Sequence, residues 1–427
     1  MLSRAVAPLH GMGGLERHTH DLITHVAQRG VRVTLVTRPP TNGSGQASFD
    51  PARVRVHQVP YVTFPLAGRR GTTVIDRSTA YPLFGWRAGR HAARVVREGG
   101  VQLVYGLGAS ALGYAQARRR DHLGTVPFIF NPQGLEEFGA TDPSRAGLKR
   151  LAYRPLQAAV RACARAADRV IATDQSLLPT VLEHLRIEDT RRVCVLPNAI
   201  DVARLDRLTD PAQAEQQRSR LGIGKDDALL LAVGRLEESK GFSVLISAMT
   251  ALASETGSPL GARWRLAIVG DGPHRPALER MIANARLGDR VLLPGRASDQ
   301  DLHAWYEAAT LFVHPTLYEG SSLVTLEAMA HKRAIVGTRA GGLPDKVKPD
   351  LNGWLVAPGD ATALAAALRQ ALASRSGLAT MGEASRQIVE REFNWPVVAD
   401  RFLALCQDVL TSRPQDLGTS RPYNVSA

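Results

Sequence analysis

The sequence predicts an α/β protein of two doubly wound, Rossmann-like domains facing a cleft. Three observations lead there. Strand-like apolar runs alternate with helix-like amphipathic stretches along nearly the whole chain. The alternation restarts near Ala228 after a polar stretch. Small-residue turns stand where strands hand over to helices, as at Gly13-Gly14 and Gly320-Ser321-Ser322. Strand–helix alternation of this kind means parallel sheets with helices on both faces.

In the first half, Gly13-Gly14 opens a helix from Leu15 to Val26, and Val31–Thr37 alternates as a strand. The strand that should precede the turn is represented only by Arg4–Leu9, short and broken by Pro8. Either it is stunted or the natural start lies upstream of Met1; we expect the latter. Residues 39–52 read as a loop and Val54–Val59 as a strand. Residues 62–80 are expected to form a mobile loop on the acceptor side. Tyr81–Glu98 reads as a helix with Arg87, Arg90, Arg94 and Arg97 on one stripe. Val101–Tyr105 and Val126–Phe130 read as strands, the second leading into Asn131-Pro132-Gln133-Gly134-Leu135-Glu136. Polar groups at a strand's carboxyl end are where open α/β sheets bind ligands. Arg145–Asp168 is expected to be a basic amphipathic helix with Lys149 and Arg150; it suits a membrane surface or a plain solvated face equally. Arg169–Thr173 and Arg192–Leu196 complete the strands, and 202–226 reads as a polar linker.

In the second half, strands are expected at Ala228–Gly234, Arg265–Gly270, Arg290–Gly295, Leu311–His314 and Arg333–Gly337. Helices are expected at 242–252, 302–309, 361–374 and 379–412.

Composition narrows the classes. The chain has 427 residues, 44% hydrophobic and 22% charged, enough for two or three domains. It has no apolar run of about 18 residues, so no spanning helix is expected. Three scattered cysteines suggest neither a disulfide frame nor a zinc site, which fits a reducing cytoplasm. The formal charge is +13, and residues 1–200 carry 27 of the 53 basic and only 14 of the 40 acidic residues. The excess therefore sits in the first half. Two readings stay open: contact with anionic lipid or an acidic acceptor, or a solvated basic surface. No nucleic-acid motif is present, and none is expected as a partner.

The chemistry-bearing residues cluster at strand ends. Leu311–His314 leads into Tyr318-Glu319-Gly320-Ser321-Ser322-Leu323-Val324-Thr325-Leu326-Glu327. A small-residue turn before a helix offers free amides and a favourable dipole to an anion. The flanking carboxylates, Glu319 and Glu327, repel an anion and suit hydroxyls instead. Arg235 and Lys240, five apart after a strand, offer a fork and a point charge to a diphosphate. The two serines serve equally well as phosphate contacts or as helix caps. Asp299-Gln300-Asp301 follows Ser298 and reads as a helix start, so no metal is expected. His18, His20 and His25 read as helix-surface residues or acceptor contacts.

These segments together resemble family 4 of the retaining GT-B glycosyltransferases, the glycosyl transferases group 1. The likeness rests on Val233-Gly234-Arg235-Leu236 with Lys240-Gly241, Gly270-Asp271-Gly272-Pro273, the Glu319-to-Glu327 stretch ending Glu-Ala-Met-Ala, Gly341-Gly342-Leu343-Pro344, Gly13-Gly14 and Pro197-Asn198. It implies an acceptor-binding domain over 1–201 and a donor-binding domain over 202–385. A helix over 386–412 would cross back to the first domain, and 413–427 would form a disordered tail. It implies that Arg235 and Lys240 grip the donor diphosphate, that Glu319 touches the donor sugar, and that Glu327 touches the ribose. Gly13, Gly14, Gly234, Gly320, Ser321, Ser322, Leu323 and Val324 would complete the donor site. His18, Gln133 and Glu136 would lie on the acceptor side.

The sequence departs from the family pattern at four places. Gln133 stands where a His is usual, Ala199 where Gly is usual and Asp345 where Glu is usual; Ser321-Ser322 replaces Phe-Gly. The implied function is transfer of a hexose from a nucleoside-diphosphate sugar to a saccharide or lipid-linked acceptor in cell-envelope glycoconjugate synthesis. It would proceed without cofactor or metal, in the cytoplasm or at the inner face of the cytoplasmic membrane. The alternative is a nucleotide-sugar epimerase of similar shape. A nicotinamide dehydrogenase is disfavoured, because no strand is followed by Gly-x-Gly-x-x-Gly.

Overall fold

The computed structural model describes the chain except at residues 12, 41–48, 64–72, 121–122, 134, 136, 139–150, 225–226, 255–263 and 413–427. The chain forms two compact units. One is Met1–Asn198 with the segment from Trp395; the other is Ala199–Asn394. The division thus falls just before the expected 201, and the chain re-enters the first unit at Trp395 rather than 386. The expected tail, 413–427, lies outside the described residues.

In the first unit α1 (Gly14–Gln28) leads to β1 (Val33–Thr37) and β2 (Val54–Gln58). Then come α2 (Thr73–Glu98), β3 (Val104–Leu107), α3 (Leu112–Arg120), β4 (Phe128–Asn131), α4 (Arg154–Ala166), β5 (Arg169–Ala172), α5 (Leu178–Leu185) and β6 (Val193–Val195). Two all-parallel sheets result among the described residues, β1-β2 and β3-β4-β5-β6. Leu2 joins them by bridging Val36 on one side and Gly106 on the other. The expected strand Arg4–Leu9 does not form. Pairing with the sheet strands is confined to Met1–Ser3: the Leu2 amide bonds the Tyr105 carbonyl at 2.8 Å and the Ser3 amide the Val36 carbonyl at 3.1 Å.

The loop expected over 62–80 lies partly outside the described residues. Its last part, from Thr73, is helical instead. Buried Ala80, Phe84, Ala88, Ala92 and Val96 recur every four residues, so α2 has a continuous inner stripe that Pro82 does not break. Of the basic helix expected over 145–168, Arg154–Ala166 is helical, and Lys149 and Arg150 lie outside the described residues.

The second unit opens with two short helices where a linker was expected. They are α6 (Val202–Leu208), capped by Asp201, and α7 (Pro211–Arg220), capped by Asp210. Few apolar residues mark the second, and capping with Pro at N1 carries it. The strands are β7 (Ala228–Val233), β8 (Trp264–Val269), β9 (Val291–Gly295), β10 (Leu311–His314), β11 (Ile335–Thr338) and β12 (Gly353–Val356). The last is a sixth strand that the sequence reading did not include. The helices are α8 (Phe242–Ser254), α9 (Arg275–Asn284), α10 (Asp299–Ala308), α11 (Leu323–Ala330), α12 (Leu343–Lys346), α13 (Ala361–Ala373) and α14 (Arg375–Glu392).

All pairs in the β12-β11-β10-β7-β8-β9 sheet are parallel. Leu230 and Ala232 face one apolar cluster, and Leu229 and Leu231 the other. Burial on both faces explains why β7 reads as an unbroken apolar run. The chain order reverses between β7 and β10. In an open α/β sheet that switch point is where ligands bind, outside the carboxyl ends of the strands.

The single helix expected over 379–412 is broken. Phe393 and Asn394 separate α14 from α15 (Trp395–Thr411), because Pro396 cannot donate within a continuous helix. Helix α15 packs in the first unit. Arg29 binds the Pro396 carbonyl at 2.9 Å, Arg169 pairs with Asp408 at 3.2 Å, and Tyr105 meets Phe402 edge-on.

Candidate active site

The switch point of the second unit carries a charged cluster. The loop after β7 runs Gly234-Arg235-Leu236, makes a short turn over Glu238–Lys240, and enters α8 through Gly241. The loop after β10 lies against it. The Ser239 carbonyl accepts from the Leu317 amide at 2.8 Å and from Thr316 Oγ1 at 3.1 Å. These bonds set Lys240 Nζ 2.8 Å from Glu319 Oε2. His314 Nε2 lies 2.9 Å from the same oxygen. Both bonds fall on Oε2.

The electrostatics follow from burial and charge. Burial alone pushes the Glu319 carboxyl up. The His314 bond and the Lys240 charge together outweigh it and hold the group at about 2. Burial, opposed by Glu319, keeps His314 below its ordinary value. A carboxylate only accepts, so His314 Nε2 carries the proton. Sequence reasoning missed His314. The available signal was a polar residue ending a buried strand, one before Pro315 and five before Glu319.

Helix α11 begins beside this cluster. Ser322 is its N-cap, and its Oγ accepts from the Thr325 amide at 3.2 Å and the Thr325 hydroxyl at 2.9 Å. Of the two roles open to Ser322, capping is the one it fills. With the Thr325 amide taken, Leu323 and Val324 supply the first-turn amides left for a ligand.

Ser321 is held from behind. Lys346 Nζ reaches Ser321 Oγ and the Gly342 carbonyl, both at 3.2 Å, and stands 5.3 Å over the Phe393 ring. Lys346 is fully buried. It too went unnoticed in the sequence, since one lysine after a proline turn has no periodic signature. Gly341, at φ +52°, lies against the Glu319 carbonyl; a Cβ there would collide with it. The Gly342 amide bonds the Gly320 carbonyl at 2.8 Å, which ties the α12 turn to the site.

The other expected residues divide. Glu327 is buried on α11 and accepts from the Tyr306 hydroxyl at 2.9 Å. Arg235 pairs with Glu237 at 3.0 Å and is 67% exposed, so it does not join the Lys240–Glu319 cluster. The Gly234 amide donates to the Val269 carbonyl at 3.0 Å, and Leu236 is pinned to Asp271 and His274. The Asp299–Asp301 stretch starts α10: Ser298 caps it, Asp301 returns the bond, and Asp299 pairs with Arg204.

In the first unit Gly13 is the N-cap of α1 and Gly14 its first residue. His18 is not a helix-surface residue. It is 5% exposed and packs on Trp395 at 5.3 Å, with burial lowering it to about 4. His25 stacks on the same indole, and His20 on Phe49. Gln133 follows β4 in a left-handed conformation, φ +66°, with its amide bonded to Asn131 Oδ1 at 2.9 Å. Its side-chain Nε2 is buried without a partner among the described residues. Strained backbone of this kind gathers at ligand sites. Glu136 and Gly134 lie outside the described residues.

Comparison with known proteins completes the picture. Residues 12–204 match the model of Glycosyltransferase Family 4, and residues 213–388 that of Glycosyl transferases group 1. The chain belongs to this glycosyltransferase family. The protein is similar to a D-inositol 3-phosphate glycosyltransferase of Xylanimonas cellulosilytica, 27% identical over 97% of each chain. Its fold matches sucrose-phosphate synthase from Thermosynechococcus elongatus, with a TM-score of 0.73 at 22% identity over 97% of this chain and 96% of that one. It also matches HepE of Anabaena in complex with UDP-glucose, with a TM-score of 0.67 at 19% identity over 95% and 98%. The fold is therefore GT-B, two Rossmann-like domains, and the protein is a glycosyltransferase. Membership sets aside the epimerase alternative. No described helix is long and apolar enough to cross a membrane.

Proposed function

We propose that the protein moves a hexose, with retention, from a nucleoside-diphosphate sugar to a saccharide or lipid-linked acceptor. The observation that carries this reading is the Lys240–Glu319–His314 cluster beside the capped start of α11. The solved HepE complex with UDP-glucose supports the donor class, because the two chains share a fold. In this reading the diphosphate lies on the Leu323 and Val324 amides, with Lys240 and Arg235 meeting the charge that develops as it leaves. Glu319 Oε1 accepts from a sugar hydroxyl while Oε2 stays with Lys240. Glu327 accepts from the ribose. The C1–phosphate bond breaks, the bond from C1 to the acceptor oxygen forms, and the acceptor proton passes to the departing phosphate. The acceptor belongs to cell-envelope glycoconjugates made at the cytoplasmic face of a membrane, which the basic first unit favours.

The test presents UDP-, GDP- and ADP-sugars with EDTA and a crude glycolipid extract, and follows thermal shift and transfer. Transfer from one donor class in EDTA is the expected result. Transfer that requires an added divalent cation would overturn the metal-free assignment, and failure of all three donors would overturn the donor class.

A further inference from the structure

Helices α2 and α3 meet backbone to backbone. A Cβ at Gly85 would collide with the Ala109 carbonyl, one at Gly89 with the amides of Gly113 and Tyr114, and one at Gly113 with the Trp86 carbonyl. Small residues spaced four apart permit such an approach. The consequence is electrostatic. Arg90 and Arg94 of α2 are brought opposite Gln116 and Arg120 of α3, and with Trp86 they line a groove of about 460 Å³. No carboxylate is in that lining among the described residues. Arg90 lies 5.0 Å over the Trp86 ring, and Arg94 is 3.2 Å from His91 Nδ1. Neither contact neutralises a charge. Gathering cations in one concavity is unfavourable unless an anion joins them. The planar fork of arginine matches phosphate oxygens in pairs. Leu83 and Trp86, both exposed, add apolar surface on the same helix.

We propose that this groove is a phosphate-binding site for a phosphomonoester or diphosphate group, carried by the first unit and not by the donor residues of the second. The same chemistry is offered by a soluble phosphate ester and by a lipid headgroup.

The test uses the full chain carrying Lys240→Met, which weakens binding at the donor residues. Inorganic pyrophosphate is titrated calorimetrically into this protein and into the same protein with Arg90→Gln, Arg94→Gln and Arg120→Gln. Three lost exposed charge contacts should weaken binding at least about tenfold. Gln116→Glu alone, which leaves every arginine in place, should also weaken it. Vesicles of phosphatidylcholine with and without phosphatidic acid form the second arm, read by flotation. Co-flotation that needs phosphatidic acid and is lost in the triple variant assigns the group to a lipid. Weakened pyrophosphate binding with unchanged flotation assigns it to a soluble ester. No measurable pyrophosphate binding by the parent protein, or equal affinity in parent, triple variant and Gln116→Glu, would overturn the proposal.

Discussion

Replacing Lys240 with methionine separates the site's stability from its chemistry. The change removes the ammonium 2.8 Å from Glu319 Oε2 and keeps the stem. Glu319 is then left with His314 in a position where its side chain is 12% exposed. In the intact protein its carboxyl lies at about 2 against an ordinary 4.5. That depression corresponds to roughly 3 kcal/mol in favour of the charged form. Lys240 supplies part of this and is a quarter exposed, so solvent screens it. We expect Lys240→Met to cost about 1–2 kcal/mol, or a melting temperature lower by about 3–6 °C. Transfer should fall further, by about 10²–10³-fold, as for loss of one donor to a developing anion. The decisive variant is Lys240→Met with Glu319→Gln. It removes the uncompensated charge, so at least half of the lost melting temperature should return while transfer stays at or below the single variant's rate. Differential scanning fluorimetry and a nucleotide-release assay read the two quantities. The reasoning fails if the double variant melts no higher than Lys240→Met, or if Lys240→Met transfers at the wild-type rate.

Glu319→Ala should reduce transfer at least about a hundredfold with an unchanged far-ultraviolet dichroism spectrum; wild-type transfer would remove Glu319 from the site. The pH dependence of stability has a definite sign. The folded carboxyl lies below its unfolded value, so its contribution is complete above about 4.5 and fades as pH falls toward about 2. Urea titrations at pH 5.5 and 2.5 should show the wild type losing roughly 2.5 kcal/mol more than Glu319→Gln, and equal losses would refute the assignment. Lys346→Met removes the donor to Ser321 and the Gly342 carbonyl. The donor KM should rise about tenfold with a smaller change in kcat, and an unchanged KM would show that Ser321 needs no such support.

Legibility followed the kind of physics involved. The two-unit α/β plan was readable because fully buried parallel strands such as β7 are unbroken apolar runs and turns of small residues separate them. Elements held by capping or by a single bridge were not. Helix α7 is almost wholly polar and was read as linker. The junction between β1 and β3 rests on Leu2 rather than on the run from Arg4. Pro396 divides what periodicity alone joined into one helix. At the site, Lys240 and Glu319 were legible as charges at strand ends, and the structure sets them in contact. Arg235 was legible as a charge too, but its partner is Glu237. His314 and Lys346 act through contacts with residues 5 and 25 positions away, which no local pattern encodes. His18 looked polar and belongs to the packing around Trp395.

The protonation states in this cluster constrain where a proton can go. A general acid or base works best with a pKa near the operating pH. Glu319 is held at about 2, far too low to take up a proton near neutrality. His314 is kept below its ordinary value by burial, and its one ring proton is committed to Glu319. Neither group is tuned to exchange protons with an acceptor hydroxyl. What they do is hold Lys240 in place: the carboxylate fixes the ammonium, and the imidazole fixes the carboxylate. The pair carries no net charge, so in the proposed reading a diphosphate would also draw on the α11 amides and on Arg235, whose exposed side chain would have to leave Glu237 to reach it. The acceptor proton then has one acceptor of suitable basicity within this scheme, the phosphate oxygen that the breaking bond releases.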